Sequence, residues 1–305
     1  MIVNASSLYN SSTLERDINS LINKYSFLKK EIIGYSFLGT PIYSLIFGKG
    51  SKEILYVGST HANESITSTL LMKFLDDISY AYSNGSNINY YNTQEIFNNT
   101  SLYIVPMLNP DGVDLVNGNI NKLSNAYIYA KIISNNYPNI PFPDGWKANI
   151  NGVDLNLQFP AEWLKAKEIK YSQCYRTPAP RDFVGLGPLT EPESLAIYNY
   201  TLKHNFSLMI TYHTQGKEIY WQFQNYAPES SYKIGQKFAE VSGYTLTDVP
   251  YESGFAGFKD WFLQEYRKPA FTIEAGSGTN PLPITQFDEI YKNNLPIMIL
   301  GTLLA

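Results

Sequence analysis

The chain has 305 residues, 44% of them apolar, and a formal net charge of −4, enough for one large core or two modest ones. Lysine and arginine are dispersed among the acids, with no basic stripe or arm for nucleic acid. No apolar run is long enough for membrane insertion, the lone Cys174 has no internal disulfide partner, and the opening MIVNASSLYNSS has neither region of a secretory leader.

In chain order, Leu14, Ile18, Leu21 and Ile22 predict a helix over Thr13–Tyr25 with Ser12 as its cap. EIIGYSF and PIYSLIFGKG are two β-like runs joined near Gly39, a hairpin or edge pair. Ile54–Thr60 is a strand, and Asn63–Tyr80 a helix with Ile66, Leu70, Leu71, Phe74 and Ile78 inward. Ser101–Leu108 is a buried-type strand broken by NPDG, and Asn109–Thr190 is long, loopy and rich in Asn, Pro and Gly. Such a stretch is too long for a mere connection, and its aromatics and glycines favour an ordered rim around a site. Thr190–Leu202 is a helix whose TEPE start offers Thr190 as cap and a proline in the first turn. Phe206–His213 and GKEIYWQF are strands, Pro228–Gly243 and Gly257–Tyr266 helices, Pro269–Gly276 a strand, and Thr285–Leu300 a last helix.

Strands alternate with helices, and their apolar runs are continuous. This predicts an α/β fold, a single domain over 1–305 with a mixed, mostly buried, twisted sheet flanked by helices.

Only three histidines occur, and two follow apolar strands. His61 and Glu64 lie just past one strand, and His213 ends another. In α/β proteins ligands gather at the carboxyl ends of strands, so these three side chains are candidates to hold one zinc ion, two imidazoles and a carboxylate leaving a position open. The plainer alternative is a glutamate that favours a helix start and a histidine satisfied in a loop. His204, near a helix C-terminus, reads as structural. Glu274 ends the apolar strand AFTI, where a carboxylate needs a partner or a task. It is either a general base for a metal-bound water or a carboxylate capped by the Gly and Ser amides that follow.

In order, GSTHANES, VPMLNPDGVDL, NGVDLNLQFP, TYHTQG, YESGFAGFKDW and FTIEAGSG resemble the successive motifs of the zinc carboxypeptidase family over nearly the whole chain. The resemblance implies a carboxypeptidase A-like fold, one Zn2+ per chain held by His61, Glu64 and His213, Glu274 as catalytic base, and Tyr251 on a mobile loop near the cleaved bond. It also implies Lys147 as the cation that polarises the scissile carbonyl, and Asp154 as a residue that orients a ligand imidazole or holds the loop.

One departure matters. Members that trim C-terminal residues carry an arginine after the asparagine of the Asp-x-Asn segment, and here Asn156 is followed by Leu157, which cannot grip a carboxylate. WKANINGVDLNLQFPAEW and PAPRDFVGLGPLTEPE are instead similar to the bacterial γ-D-glutamyl-L-diamino acid endopeptidases. That branch implies peptidoglycan-derived peptides as partners, cut between γ-D-glutamate and diaminopimelate or lysine, with no nucleic acid involved. Arg181, Arg176 and Asn156 are then candidates to bind substrate, Arg181 foremost because it matches the branch's Pro-Arg-Asp segment. With no leader and no wall-binding module visible, a cytoplasmic or spore-associated enzyme active in sporulation is expected. Two other readings stand beside it: a carboxypeptidase of unusual specificity, and a peptidoglycan-fragment binding protein that has lost catalysis.

Overall fold

A computed structural model describes residues 1–7 and 9–305. Helix α1 (Ser11–Lys24) turns Leu14, Ile18 and Leu21 inward, and its cap is Asn10, not Ser12: the Asn10 side chain accepts the Thr13 amide at 2.8 Å. Strands β1 (Lys29–Tyr35) and β2 (Pro41–Gly48) form the expected antiparallel pair, and β3 (Lys52–Val57) follows. Helix α2 (Ile66–Ser83), a two-strand ribbon of β4 (Asn87–Ile88) and β5 (Tyr91–Asn92), and helix α3 (Thr93–Asn99) lead to β6 (Thr100–Val105). Next come α4 (Pro110–Val116), α5 (Asn125–Asn135), α6 (Trp163–Ser172) and α7 (Pro192–Leu202). The chain closes with β7 (Leu208–His213), β8 (Glu218–Tyr220), α8 (Glu229–Ser242), β9 (Thr245–Thr247), α9 (Phe258–Tyr266), β10 (Ala270–Glu274) and α10 (Phe287–Leu304).

Eight strands form one mixed sheet in the order β1-β2-β6-β3-β7-β10-β8-β9. Its centre, β6-β3-β7-β10, is parallel throughout, so these four strands end at the same edge. Both faces are covered. Ile54 and Tyr56 of β3 enter a cluster with Leu70, Phe74 and Met298, while Leu55 and Val57 enter another with Phe159, Ile197 and Trp261. Burial on both faces is why the strands read as unbroken apolar runs. Each such side chain stabilises the fold by roughly 1.5–3 kcal/mol.

Three expectations are corrected. The stretch Asn109–Thr190 holds three helices rather than loop alone. NPDG opens α4: Pro110 takes its first position and Asn109 Oδ1 accepts the Gly112 amide at 3.1 Å. Thr190 does not cap α7. Its hydroxyl and amide both donate to Gln158 Oε1, at 3.1 and 2.9 Å, so the cap position falls to Glu191. Helix α2 begins at Ile66 rather than Asn63, because residues 61–65 form the turn that presents Glu64.

Candidate active site

The turn after β3 is held from several sides. A Cβ on Gly58 would sit 2.8 Å from the Pro106 carbonyl oxygen, so glycine is required there. Ser59 takes φ 43°, its amide donates to Thr67 Oγ1 at 2.8 Å, and its hydroxyl meets Ser68 Oγ at 2.6 Å. Asn109 Nδ2 donates to the carbonyls of Thr60 (3.2 Å) and Ala148 (3.1 Å), and the Ala62 amide to the Lys147 carbonyl at 3.0 Å. His61 and Glu64 therefore project from a fixed loop. His213 and Glu274 end neighbouring parallel strands and face one another in register.

These placements bring the two histidines and Glu64 together, with ligand atoms all within 4.8 Å of one another. His61 Nδ1 lies 2.9 Å from Glu64 Oε1 and 2.9 Å from His213 Nδ1, which is 3.0 Å from Glu64 Oε2. All three residues are buried. On its far side His61 Nε2 stands 3.2 Å from Asp154 Oδ1. A carboxylate there assigns the proton to Nε2 and leaves the Nδ1 lone pair facing inward. Two nitrogen lone pairs and a carboxylate that converge in a buried site are satisfied by one shared cation, and this donor set suits zinc.

The surrounding charges are graded. Burial pushes the Asp154 carboxyl up, but the Lys147 cation and the hydrogen bonds from His61 and the Asp182 amide outweigh it and hold the group well below the usual carboxylate range. Glu64 is likewise pushed up by burial and pulled down further by His61 and His213. Glu274 goes the other way: burial, reinforced by the Glu64 charge, pushes it up to about 8.

A cavity of about 570 Å³ opens over the cluster. Lys147, Asp154, Asn156, Arg181 and Glu274 line it together with His61 and Glu64. Asn156 also serves the fold, its Oδ1 accepting the Phe258 amide at 3.1 Å. Arg181 is paired with Asp182 (Nε–Oδ2 2.6 Å). Three expected residues lie outside the cavity lining: His213, which joins the cluster from the end of β7, and Arg176 and Tyr251. Arg176 is exposed and donates its Nε to the Tyr171 carbonyl at 3.0 Å. Tyr251 is 65% exposed, with its ring edge-on to Phe255 at 5.3 Å. His204, read as structural, pairs with Glu53 at 3.0 Å. Leu157 is 6% exposed and packs with Trp163, Val184 and Ala256 at the cavity wall.

The sequence reading missed five charged residues of the wall, Asp144 and Lys170 and, in two short charged segments, Asp182, Lys259 and Asp260. Their only sequence signal is opposite charge in short segments, RD at 181–182 and KD at 259–260, which usually marks a solvated surface.

A mixed sheet that gathers a His-Glu-His cluster and a raised carboxyl at its carboxyl edge defines a metallohydrolase. Residues 14–297 match the model of the zinc carboxypeptidase family, and the chain belongs to that family. The chain is 44% identical over 301 residues to γ-D-glutamyl-L-diamino acid endopeptidase 1 of Lysinibacillus sphaericus, covering 98% of this chain and 74% of that protein. Among solved structures, thrombin activatable fibrinolysis inhibitor superposes with a TM-score of 0.73 at 17% identity, over 98% of this chain and 74% of that one. Carboxypeptidase A from Helicoverpa armigera does so with a TM-score of 0.72, also at 17% identity, over 99% and 74%. At that identity these two structures speak for the fold alone.

Proposed function

We propose that this chain is a zinc-dependent endopeptidase that hydrolyses peptidoglycan peptides at the bond between γ-D-glutamate and a diamino acid. The observation that carries the substrate is the likeness of nearly the whole chain to the Lysinibacillus endopeptidase. Leu157 supports it. An apolar side chain stands at the cavity wall where the resembling carboxypeptidases need an arginine for a terminal carboxylate.

His61, Glu64 and His213 hold the zinc, which when bound supplies Lewis acidity and a water acidic enough to attack near neutral pH. Glu274 takes the proton from the attacking water and returns it to the departing amine, a task open to a carboxyl that ends β10 on the cavity wall. Lys147, on the same wall, brings the positive charge for the oxyanion that develops on the scissile carbonyl. Asp154 keeps His61 in the tautomer and orientation the ligand role needs. Arg181 faces the cavity and is placed to meet the free α-carboxylate of the γ-linked glutamate.

The test is the site of cleavage. Given L-Ala-γ-D-Glu-meso-diaminopimelate-D-Ala, the protein is expected to release L-Ala-D-Glu, identified by mass spectrometry. Release of the terminal D-Ala alone would overturn the endopeptidase reading in favour of a carboxypeptidase.

A further inference from the structure

A second cavity, of about 550 Å³, adjoins the one over the His-Glu-His cluster. Ile140, Lys170, Arg181, Asp182 and Ser253 line both, so they form a shared wall. Gln173, Tyr175 and Glu252 line only the second. Asp144, Lys147, Asp154, Lys259 and Asp260 line only the first. In the shared wall Asp182 pairs with Lys170 (2.7 Å) and Arg181 (2.6 Å), two cations to one anion. One positive charge is left over there, and it suits the free α-carboxylate of a γ-linked glutamate.

The walls that belong to the second cavity alone suit a neutral polyol. Tyr175 is half-buried and brings an aromatic ring, stacked nearly parallel on Tyr137 at 5.7 Å. Gln173 brings an amide and Glu252 a carboxylate, with the Ser253 hydroxyl beside them, a set that both donates to and accepts from hydroxyl groups. An aromatic face with a few polar groups around it is the usual make-up of a small-molecule site. The volume falls in the range of such sites, roughly 300–1,000 Å³, and is far more than one alanine fills. Glu252 is exposed, and an exposed carboxylate holds a bare ammonium only weakly.

We propose that the second cavity is a sugar subsite, which receives the N-acetylmuramyl group from which peptidoglycan peptides hang by their L-alanine amine. The proposal rests on the endopeptidase reading above, with Arg181 as the partner of the glutamate α-carboxylate. The carbon that bears this carboxylate also bears the amide to L-alanine. With the γ-carbonyl at the His-Glu-His cluster and the carboxylate at Arg181, the alanine side of the peptide leads from the shared wall into the second cavity. A muramyl group is uncharged once its lactyl carboxyl is joined to alanine, so it leaves the balance at Lys170, Arg181 and Asp182 undisturbed. Its ring rests on Tyr175, and its hydroxyls and acetamide bond to Gln173, Glu252 and Ser253. A free peptide, which ends in an ammonium after the alanine, leaves most of the cavity to water.

The experiment measures kcat/KM of the zinc-loaded protein, and of Tyr175→Ala and Gln173→Ala, on three peptides. They are L-Ala-γ-D-Glu-meso-diaminopimelate, the same peptide N-acetylated on its alanine, and the same peptide carrying N-acetylmuramic acid there. The unaltered protein should favour the muramyl peptide by about tenfold or more over each of the others, since binding energy from remote parts of a substrate is used at the reacting centre. The N-acetyl peptide separates the sugar from mere loss of the ammonium. Tyr175→Ala should collapse the ratio, and Gln173→Ala should lower it. Gln173 is exposed, so its variant tests the cavity even if Tyr175→Ala folds poorly. A muramyl peptide cleaved no faster than either of the others, or an advantage that neither variant reduces, would overturn the proposal while the reaction reading stands. Cleavage of none of them by the unaltered protein would overturn both.

Discussion

His213 and Glu274 are register partners on the parallel strands β7 and β10, so one member of the His-Glu-His cluster and the proposed catalytic carboxyl are fixed by one hydrogen-bonded ladder. Replacing Glu274 by Gln keeps the shape and removes the base. Its kcat is expected to fall by ~10²–10⁴ while zinc content stays at one per chain, as proton transfer by a positioned side chain contributes that much. Turnover by product release and metal content by atomic absorption check it together. Full turnover in a folded, zinc-loaded variant would remove Glu274 from the mechanism.

Asp154 Oδ1 stands 3.2 Å from His61 Nε2, on the side away from the cluster. Asp154→Asn should weaken zinc binding by ~10–100-fold, the usual cost of losing a carboxylate behind a ligand histidine. Competition with a chelator of known affinity measures it. An unaltered zinc affinity would show that the loop alone holds the imidazole.

The two arginines separate cleanly. Arg181 lines the cavity, whereas Arg176 is exposed and tied to the Tyr171 carbonyl. Arg181→Ala should lower kcat/KM on the γ-glutamyl peptide by about tenfold or more, as expected when a charge-assisted contact is lost. Arg176→Ala should stay near the unaltered value. Steady-state kinetics that reverse this order would contradict the placement.

Glu193 gives the fold a pH dependence away from the zinc cluster. Burial pushes its carboxyl up to about 7, against the bonds it accepts from the Phe37 amide and the Asn149 side chain. Between the unfolded value near 4.5 and about 7 the folded state therefore holds the extra proton, and stability falls as pH rises through that window. The full contribution is about 3 kcal/mol, present below the window and lost above it. Urea unfolding at pH 5 and pH 8 should show a loss larger by about 2 kcal/mol in the unaltered protein than in Glu193→Gln. Parallel pH curves for the two would refute it.

The metal site was legible in the sequence because its residues follow unbroken apolar strands. ILYV leads to His61 and Glu64, LMITY to His213, and AFTI to Glu274, and the parallel centre of the sheet brings those ends together. The start of α4 was also within reach, since Asn109, Pro110 and Asp111 form a helix opening, but NPDG equally spells a turn. Helix α6 had no such signal: it follows Glu162 at φ 55° with no side-chain cap. Lys259 and Asp260 were not legible as wall residues, because FKDW reads as any exposed helix turn. Their burial appears only in the folded chain, where Lys259 Nζ donates to the Gln222 carbonyl of a distant segment. Tyr251 was expected from the motif YESGFAGFKDW and Arg176 only from its place beside Arg181, and neither lines the cavity.

In the proposed reaction, cleavage at γ-D-glutamate depends on a zinc ion held by His61, Glu64 and His213. The most direct test strips the purified protein with a chelator, returns one equivalent of zinc, and follows release of L-Ala-D-Glu from L-Ala-γ-D-Glu-meso-diaminopimelate at each stage. Cleavage should be lost on stripping and restored by zinc in the unaltered protein, and not restored in His213→Ala. Cleavage that persists in the zinc-free protein, or that zinc restores equally in His213→Ala, would contradict it.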